Sequence, residues 1–157
     1  MRIQDQMVKL TQNALDDVCQ AALETPRSNW DRSPLKGGPT MLSHLRKVAL
    51  GPDVLMPVLR FRSAEIGVSD SCGLSPEDLA RLADVPKCVE VARRSYSLIC
   101  QEIGAFPDTQ LDQEVTSGPE GGERLTMADV LAIPYWTLVY HLGQINQIQL
   151  LLDHRGH

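Results

Sequence analysis

The sequence has no cysteine pair. Cys19, Cys72, Cys88 and Cys100 are scattered, no CxxC occurs, and no His stands at zinc-finger spacing from any of them. That excludes a zinc-finger or disulfide framework and reads as reduced cytosolic thiols. Basic residues are also in deficit, with 15 Lys plus Arg against 20 Asp plus Glu, a net charge of −5 and no long basic run. Non-specific attraction to nucleic acid phosphates is disfavoured, so no nucleic acid partner is expected. No run of about 18 uncharged apolar residues exists, because the richest stretch, Val130 to Leu152, is broken by Pro134, His141 and several amides. A membrane span is not expected. The first residues, MRIQDQMVKLTQNALDDV, alternate polar and apolar without an h-region or a small-residue cleavage site, which makes the cytoplasm the expected location.

Several chemical signatures are missing as well. There is no Gly-flanked serine elbow, no HExxH and no phosphate-cradling glycine loop, so a self-sufficient hydrolase has no support. The GGPT at 37–40 leads towards a helix but lacks a following Lys, and is a weak anion signal. No segment shows the period of two that a half-buried strand needs, and no internal repeat is visible.

What remains is helical. With 157 residues and 43% apolar side chains, the chain is long enough to bury a core as one domain, residues 1–157. Ile3, Met7, Leu10, Ala14, Val18 and Ala22 recur at steps of three and four, which predicts an amphipathic helix over 3–24. Pro and Gly crowd residues 25–39 into a long loop, and Thr40 is the N-cap of a second helix, with a kink or short break expected at Gly51 and Pro52. A turn-rich piece, Gly67 to Gly73, precedes a short helix begun by Ser75 and Pro76. A third long helix follows from Pro86 to about Gly104, carrying Cys88 and Cys100 on different turns. Residues 105–124 form a connection, and the fourth long helix spans about 127–152 with a bend at Pro134. Thr126 and Asp129 resemble a capping box without its Glu or Gln. The expected architecture is all-α, an antiparallel four-helix bundle with long loops and a short extra helix.

Two histidines fall inside predicted elements. His44 lies near the start of the second helix, and His141 lies at the edge of the apolar stripe of the fourth, expected to face the interior obliquely. His154 and His157 belong to a polar tail. Of the neighbours Tyr135 and Trp136, about 100° apart on a helix, one is expected in the core and the other at the rim. Trp30, in a polar loop, is either a pocket wall or a loop anchor. Val54 to Leu59 is either core or an exposed patch suited to dimerisation, and the paired arginines 60/62 and 93/94 read as solvated faces.

The run Tyr140, His141, Leu142, Gly143, Gln144, Ile145 resembles the closing helix of the DinB-like four-helix bundles. Trp30 with its Pro/Gly-rich loop, the Thr40–Leu45 entry to helix two, and Thr126, Ala128, Asp129 and Val130 before helix four are similar to that family too, so the resemblance covers the whole chain by element order. It implies a divalent metal, zinc or nickel, held by one His on helix two and two at i and i+4 on helix four. The implied ligands here are His44 and His141. The third position is Thr137, so the triad is incomplete. A rebuilt site would need a carboxylate or thiolate, with Asp70, Cys72, Glu102 and Asp129 as nominal candidates, and Gln144, one turn beyond His141, is either a hydrogen-bond partner of a ligating group or facing backbone or a polar residue at the bundle rim. Two functions follow from the resemblance: a metal-dependent thiol transferase or hydrolase acting on a small molecule or a low-molecular-weight thiol, or a metal-free homodimeric binding module of the same fold.

Overall fold

The computed structural model describes residues 1–62, 75–116 and 122–155. The turn-rich piece read at Gly67 to Gly73, together with Asp70, Cys72 and His157, lies outside the described residues. Four long helices carry the fold: α1 (Ile3–Glu24), α2 (Met41–Phe61), α4 (Val85–Gly104) and α5 (Met127–Arg155), with the one-and-a-half-turn α3 (Pro76–Arg81) between α2 and α4. Each long helix turns one apolar stripe inward, with Val18 and Ala22, Leu45 and Val48, Ala92 and Ile99, and Leu138 and Ile145 all fully buried. Burial of these aliphatic side chains is the dominant stabilising term.

Capping chemistry fixes where the helices begin. At α2 the Ser43 backbone N–H donates to Thr40 Oγ1 at 3.1 Å while the Thr40 N–H donates to Ser43 Oγ at 3.0 Å, so Ser43 fills the reciprocal role usually given to Glu or Gln. At α4 the Asp84 carboxylate accepts from the Lys87 N–H at 3.0 Å, and at α3 Ser75 Oγ accepts from the Asp78 N–H at 3.1 Å. Asp129 Oδ2 accepts from both the N–H and the hydroxyl of Thr126, so an Asp completes the box that the sequence left without Glu or Gln. Because the α2 cap sets the first turn on which His44 rides, Thr40→Ala is expected to cost about 1 kcal/mol. Urea denaturation followed by circular dichroism checks it.

The helix directions follow from cross-contacts. Asp16 pairs with Arg93 at 2.7 Å and Val8 approaches Gly104, so α1 and α4 run antiparallel. His44 meets His141 while Gly51 and Leu55 meet Pro134 and Ile133, so α2 and α5 are antiparallel too. The other two neighbouring pairs run in the same sense. Arg46 donates to the Leu82 carbonyl at one end of the α2–α4 pair and Arg60 pairs with Glu102 at the other. Gln149 donates to the Ala21 carbonyl and to Thr25 Oγ1, joining the C-terminal parts of α1 and α5, while Gln4 reaches the Phe106 carbonyl that precedes α5. α1 and α2 barely touch.

Two sequence expectations need correction. Residues 114–116 (β1) and 124–126 (β2) form an antiparallel two-stranded ribbon with Val115 opposite Leu125. Three residues per strand are too few for a period of two to stand out. The ribbon leads straight into α5, whose first N–H groups are held by the Gln113 and Leu111 carbonyls. Second, α2 does not break at Gly51 and Pro52. It continues through Pro52 and Pro57 to Phe61, although each internal proline removes a donor and crowds the preceding turn. Pro52, Leu55, Val58 and Leu59 are all buried, so tertiary packing offsets the loss. Within Val54 to Leu59, Leu55, Val58 and Leu59 are core and Met56 is half-buried, while Val54 and Pro57 are exposed.

Candidate metal centre

His44 is the fourth residue of α2 and is only 5% exposed, on the face that also buries Met41, Leu45 and Val48. His141 is 8% exposed. It stands at the centre of the α5 core stripe, between Leu138 and Ile145, rather than at its edge. Tyr135 and Leu142 are apolar in sequence but only half-buried flanks of that stripe, so the apolar pattern alone sets its centre off by part of a turn.

The antiparallel packing of α2 on α5 brings the two imidazoles together. Their Nδ1 atoms are 2.9 Å apart and the ring centroids 5.2 Å apart, a hydrogen bond in which one Nδ1–H donates to the other Nδ1. Burial lowers both pKa values. For His141 desolvation is the main cause, followed by the charges of His44 and Lys47, and the value is pushed down to about 4. For His44 desolvation again leads, with Lys47 second. Both rings are therefore neutral at pH 7, the state in which an imidazole nitrogen can accept a proton, a hydrogen bond or a metal.

Residues that the sequence reading did not single out complete the surroundings. The Tyr140 ring stands 5.1 Å from His141 and 6.5 Å from His44, edge-on to both, while the Tyr140 side itself is 59% exposed. Lys47, three residues beyond His44, supplies the positive charge felt by both rings. Proximity to the two histidines along their helices was the only available signal for either. Thr137, one turn before His141, lines a small cavity of about 30 Å³ with Gly51, Pro52, Leu55, Tyr96 and Pro134.

Trp30 is a loop anchor: its indole N–H donates to the Thr25 carbonyl at 3.0 Å, Arg27 lies over its ring, and its own carbonyl accepts from the Leu42 N–H. Gln144 is half-buried one turn past His141 and makes no hydrogen bond among the described residues. Glu102 is engaged by Arg60 and Asp129 by Thr126, so neither is brought to the histidines. His154 is exposed near the end of α5. Of the neighbouring aromatics, Tyr135 is half-buried and Trp136 is 62% exposed. Of the arginines read as solvated, three carry surface ion pairs, Arg60 with Glu102, Arg93 with Asp16 and Arg94 with Glu90, whereas Arg62 is half-buried, lying 4.4 Å over the Phe106 ring and donating to the Leu59 carbonyl, because it caps the C-terminal end of α2.

The donor set can be weighed for a divalent ion. Two nitrogens bound at about 2.0–2.1 Å to one tetrahedral ion lie about 3.3–3.4 Å apart, so the pair, 2.9 Å apart as a hydrogen bond, has to open by a few tenths of an ångström and give up its shared proton. Among the described residues no third His, Cys, Asp or Glu joins them. His44 Nε2, buried, has no hydrogen-bond partner among the described residues, whereas a ligating imidazole usually donates its second N–H to an acceptor. The residues present thus fit a weakly held, exchangeable ion anchored by two nitrogens, and do not fit a closed structural site.

Among solved structures the chain is similar to YfiT from Bacillus subtilis, described as a probable metal-dependent hydrolase with an unusual four-helix bundle topology. The TM-score is 0.58 at 17% identity, covering 98% of this chain and 87% of that one. At that identity the likeness carries the fold, and the fold is the one the DinB-like resemblance implied. No family model and no curated protein matches the sequence.

Proposed function

We propose that this chain is a divalent-metal-binding bundle of the hydrolase type, in which His44 and His141 hold an exchangeable ion and the open positions admit water and a small-molecule substrate or thiol. The observation that carries it is the convergence of two buried, neutral imidazoles from different helices to 2.9 Å. Bound there, a zinc- or nickel-class ion supplies Lewis acidity that lowers the pKa of a water or a thiol. The protein's own contribution is positional. Core packing of α2 on α5 fixes both rings, burial keeps them unprotonated at neutral pH, and Tyr140 screens the pair from solvent while leaving its own outer side free. Thr137 offers a hydroxyl one turn along α5, able to hydrogen-bond a bound water but too weak a donor to replace an imidazole.

The unpartnered His44 Nε2 and the lack of a third donor among the described residues favour a second reading, a metal-free binding module in which the histidine pair is a structural hydrogen bond. Elemental analysis of untagged protein after equilibration with zinc or nickel separates the two. The first reading expects about one ion per chain and its loss in both His44→Ala and His141→Ala. Wild-type protein that retains no ion above the level of the two variants would establish the second.

A further inference from the structure

Three residues that a helix accommodates badly stand round one point of the bundle. Gly51 and Pro52 lie in the middle of α2 and Pro134 lies in α5, and all three line the cavity of about 30 Å³ that Tyr96 of α4 and Thr137 of α5 also border. Gly51 is not required by its backbone, since its φ is not positive, nor by lack of room, since a Cβ would meet only the Tyr96 hydroxyl, at an ordinary 3.7 Å. Alanine is the better helix former at such a position. Local preferences overridden together at one spot mark a place where the space itself has a use.

The walls of the cavity indicate which use. Tyr96 is 2% exposed, and its hydroxyl, which faces the Cβ position of Gly51, makes no hydrogen bond among the described residues. A buried phenol normally finds a partner. Thr137, half-buried, likewise has no hydrogen-bond partner among the described residues. Pro52 and Pro134 have no N–H to give to the carbonyls of Val48 and Val130 one turn back, so those acceptors lack their ordinary helical donor. A buried water needs a volume of about 10–15 Å³ and two to four polar partners, which gives this cavity room for about two molecules. It is far below the ~300 Å³ at which pockets for larger organic ligands begin.

We infer that this cavity is an internal hydration site, in which one or two waters join the Tyr96 hydroxyl to that of Thr137, with a carbonyl left over by Pro52 or Pro134 as a further acceptor. Gly51 keeps the site open. A methyl group at that position would stand in front of the phenol, in the space that a hydrogen-bonded oxygen at about 2.8 Å must take. Thr137 is one turn from His141, so the same waters fix which way its hydroxyl faces beside the histidine pair. The inference does not rest on a metal, and its failure would leave both readings of that pair where they stand.

A double-mutant cycle on the metal-free full chain tests it. Gly51→Ala replaces a poor helix former by the best one, yet it is expected to lower Tm in the wild-type background, because it expels the water and strands a buried phenol. In the Tyr96→Phe background no hydroxyl is left to strand, and the same substitution is expected to raise Tm. A shift of the same sign and size in both backgrounds overturns the proposal. A crystal structure of the wild-type chain decides the matter should a variant fail to fold: ordered water within hydrogen-bond distance of both Tyr96 Oη and Thr137 Oγ1 supports the site, and a phenol with no water bonded to it overturns it.

Discussion

Thr137→His is expected to raise zinc affinity by more than about 100-fold over the wild-type chain. Positions 137 and 141 are one turn apart on α5 and share a helix face, so an imidazole at 137 would stand beside that of His141. Three histidines make the ligand count usual for an open, catalytic zinc site, where the described residues bring two together. Groups that merely orient ligands are worth about 10–100-fold in metal affinity, so a ligand itself exceeds that range, and 100-fold corresponds to about 2.8 kcal/mol. Room exists in part, because Thr137 is half-buried and borders the cavity with Gly51 and Tyr96. Competition titration against a zinc chelator gives the affinity, with circular dichroism to establish that the bundle is intact. Thr137→Glu, which puts a carboxylate at the same place, is the companion should the imidazole prove too large. Unchanged affinity in both folded variants would separate position 137 from the histidine pair and remove the basis for a shared centre.

The second large effect is acid destabilisation of the metal-free protein. Burial holds the folded-state pKa of His141 at about 4 and depresses that of His44, while an unfolded histidine titrates near 6.5. Between those limits the unfolded chain binds protons that the folded chain does not, so stability rises with pH. It is complete above about 6.5 and is lost progressively as pH falls towards 4. After discounting for residual solvent screening, the His141 contribution is about 2 kcal/mol, equivalent to roughly 4–8 °C in Tm for a chain of this size. Asp108 and Asp129 act in a lower window. Their folded pKa values are depressed below 3.8 by hydrogen bonds from Gln4 and Thr126 respectively, so their contributions disappear only in stronger acid. Thermal unfolding of chelator-treated protein at pH 7 and pH 4.5 measures the difference, and His141→Leu is expected to flatten it. An equal drop in Tm in that variant would assign the acid sensitivity to other groups.

The helices were legible because each signal was local. Thr40, Ser75 and Pro76 announce helix starts through donors and φ values fixed within three residues, and the stripe of α1 repeats five times. The relative directions were not, because whether α2 and α4 run in the same or the opposite sense rests on contacts such as Arg46 with Leu82 and Arg60 with Glu102, far apart in sequence, and no short-range pattern encodes it. β1 and β2 escaped for lack of length. At the candidate centre, the sequence nominated His44 and His141 through the family resemblance, and their contact depends on the antiparallel packing of α2 on α5, ninety-seven positions apart in the chain. Tyr140 escaped because its importance lies in what its edge touches. Of the kink or short break expected at Gly51 and Pro52, the break does not occur, because the proline penalty is local while the burial that offsets it is not.

The order of packing has a consequence for how the molecule is made. α1 scarcely meets α2, α2 and α4 lie side by side in the same sense, and α1 closes against α4 and α5, so no successive pair of long helices forms a hairpin that could stand alone. A chain emerging from the ribosome must therefore carry the apolar stripes of α1 and α2 uncovered until α4 is synthesised, and partly uncovered until α5 closes on them. Long sequence separation between contacting elements slows the search for the native arrangement. This bundle is accordingly expected to mature more slowly than an up-and-down bundle of the same length, with a longer interval in which a chaperone has something to hold.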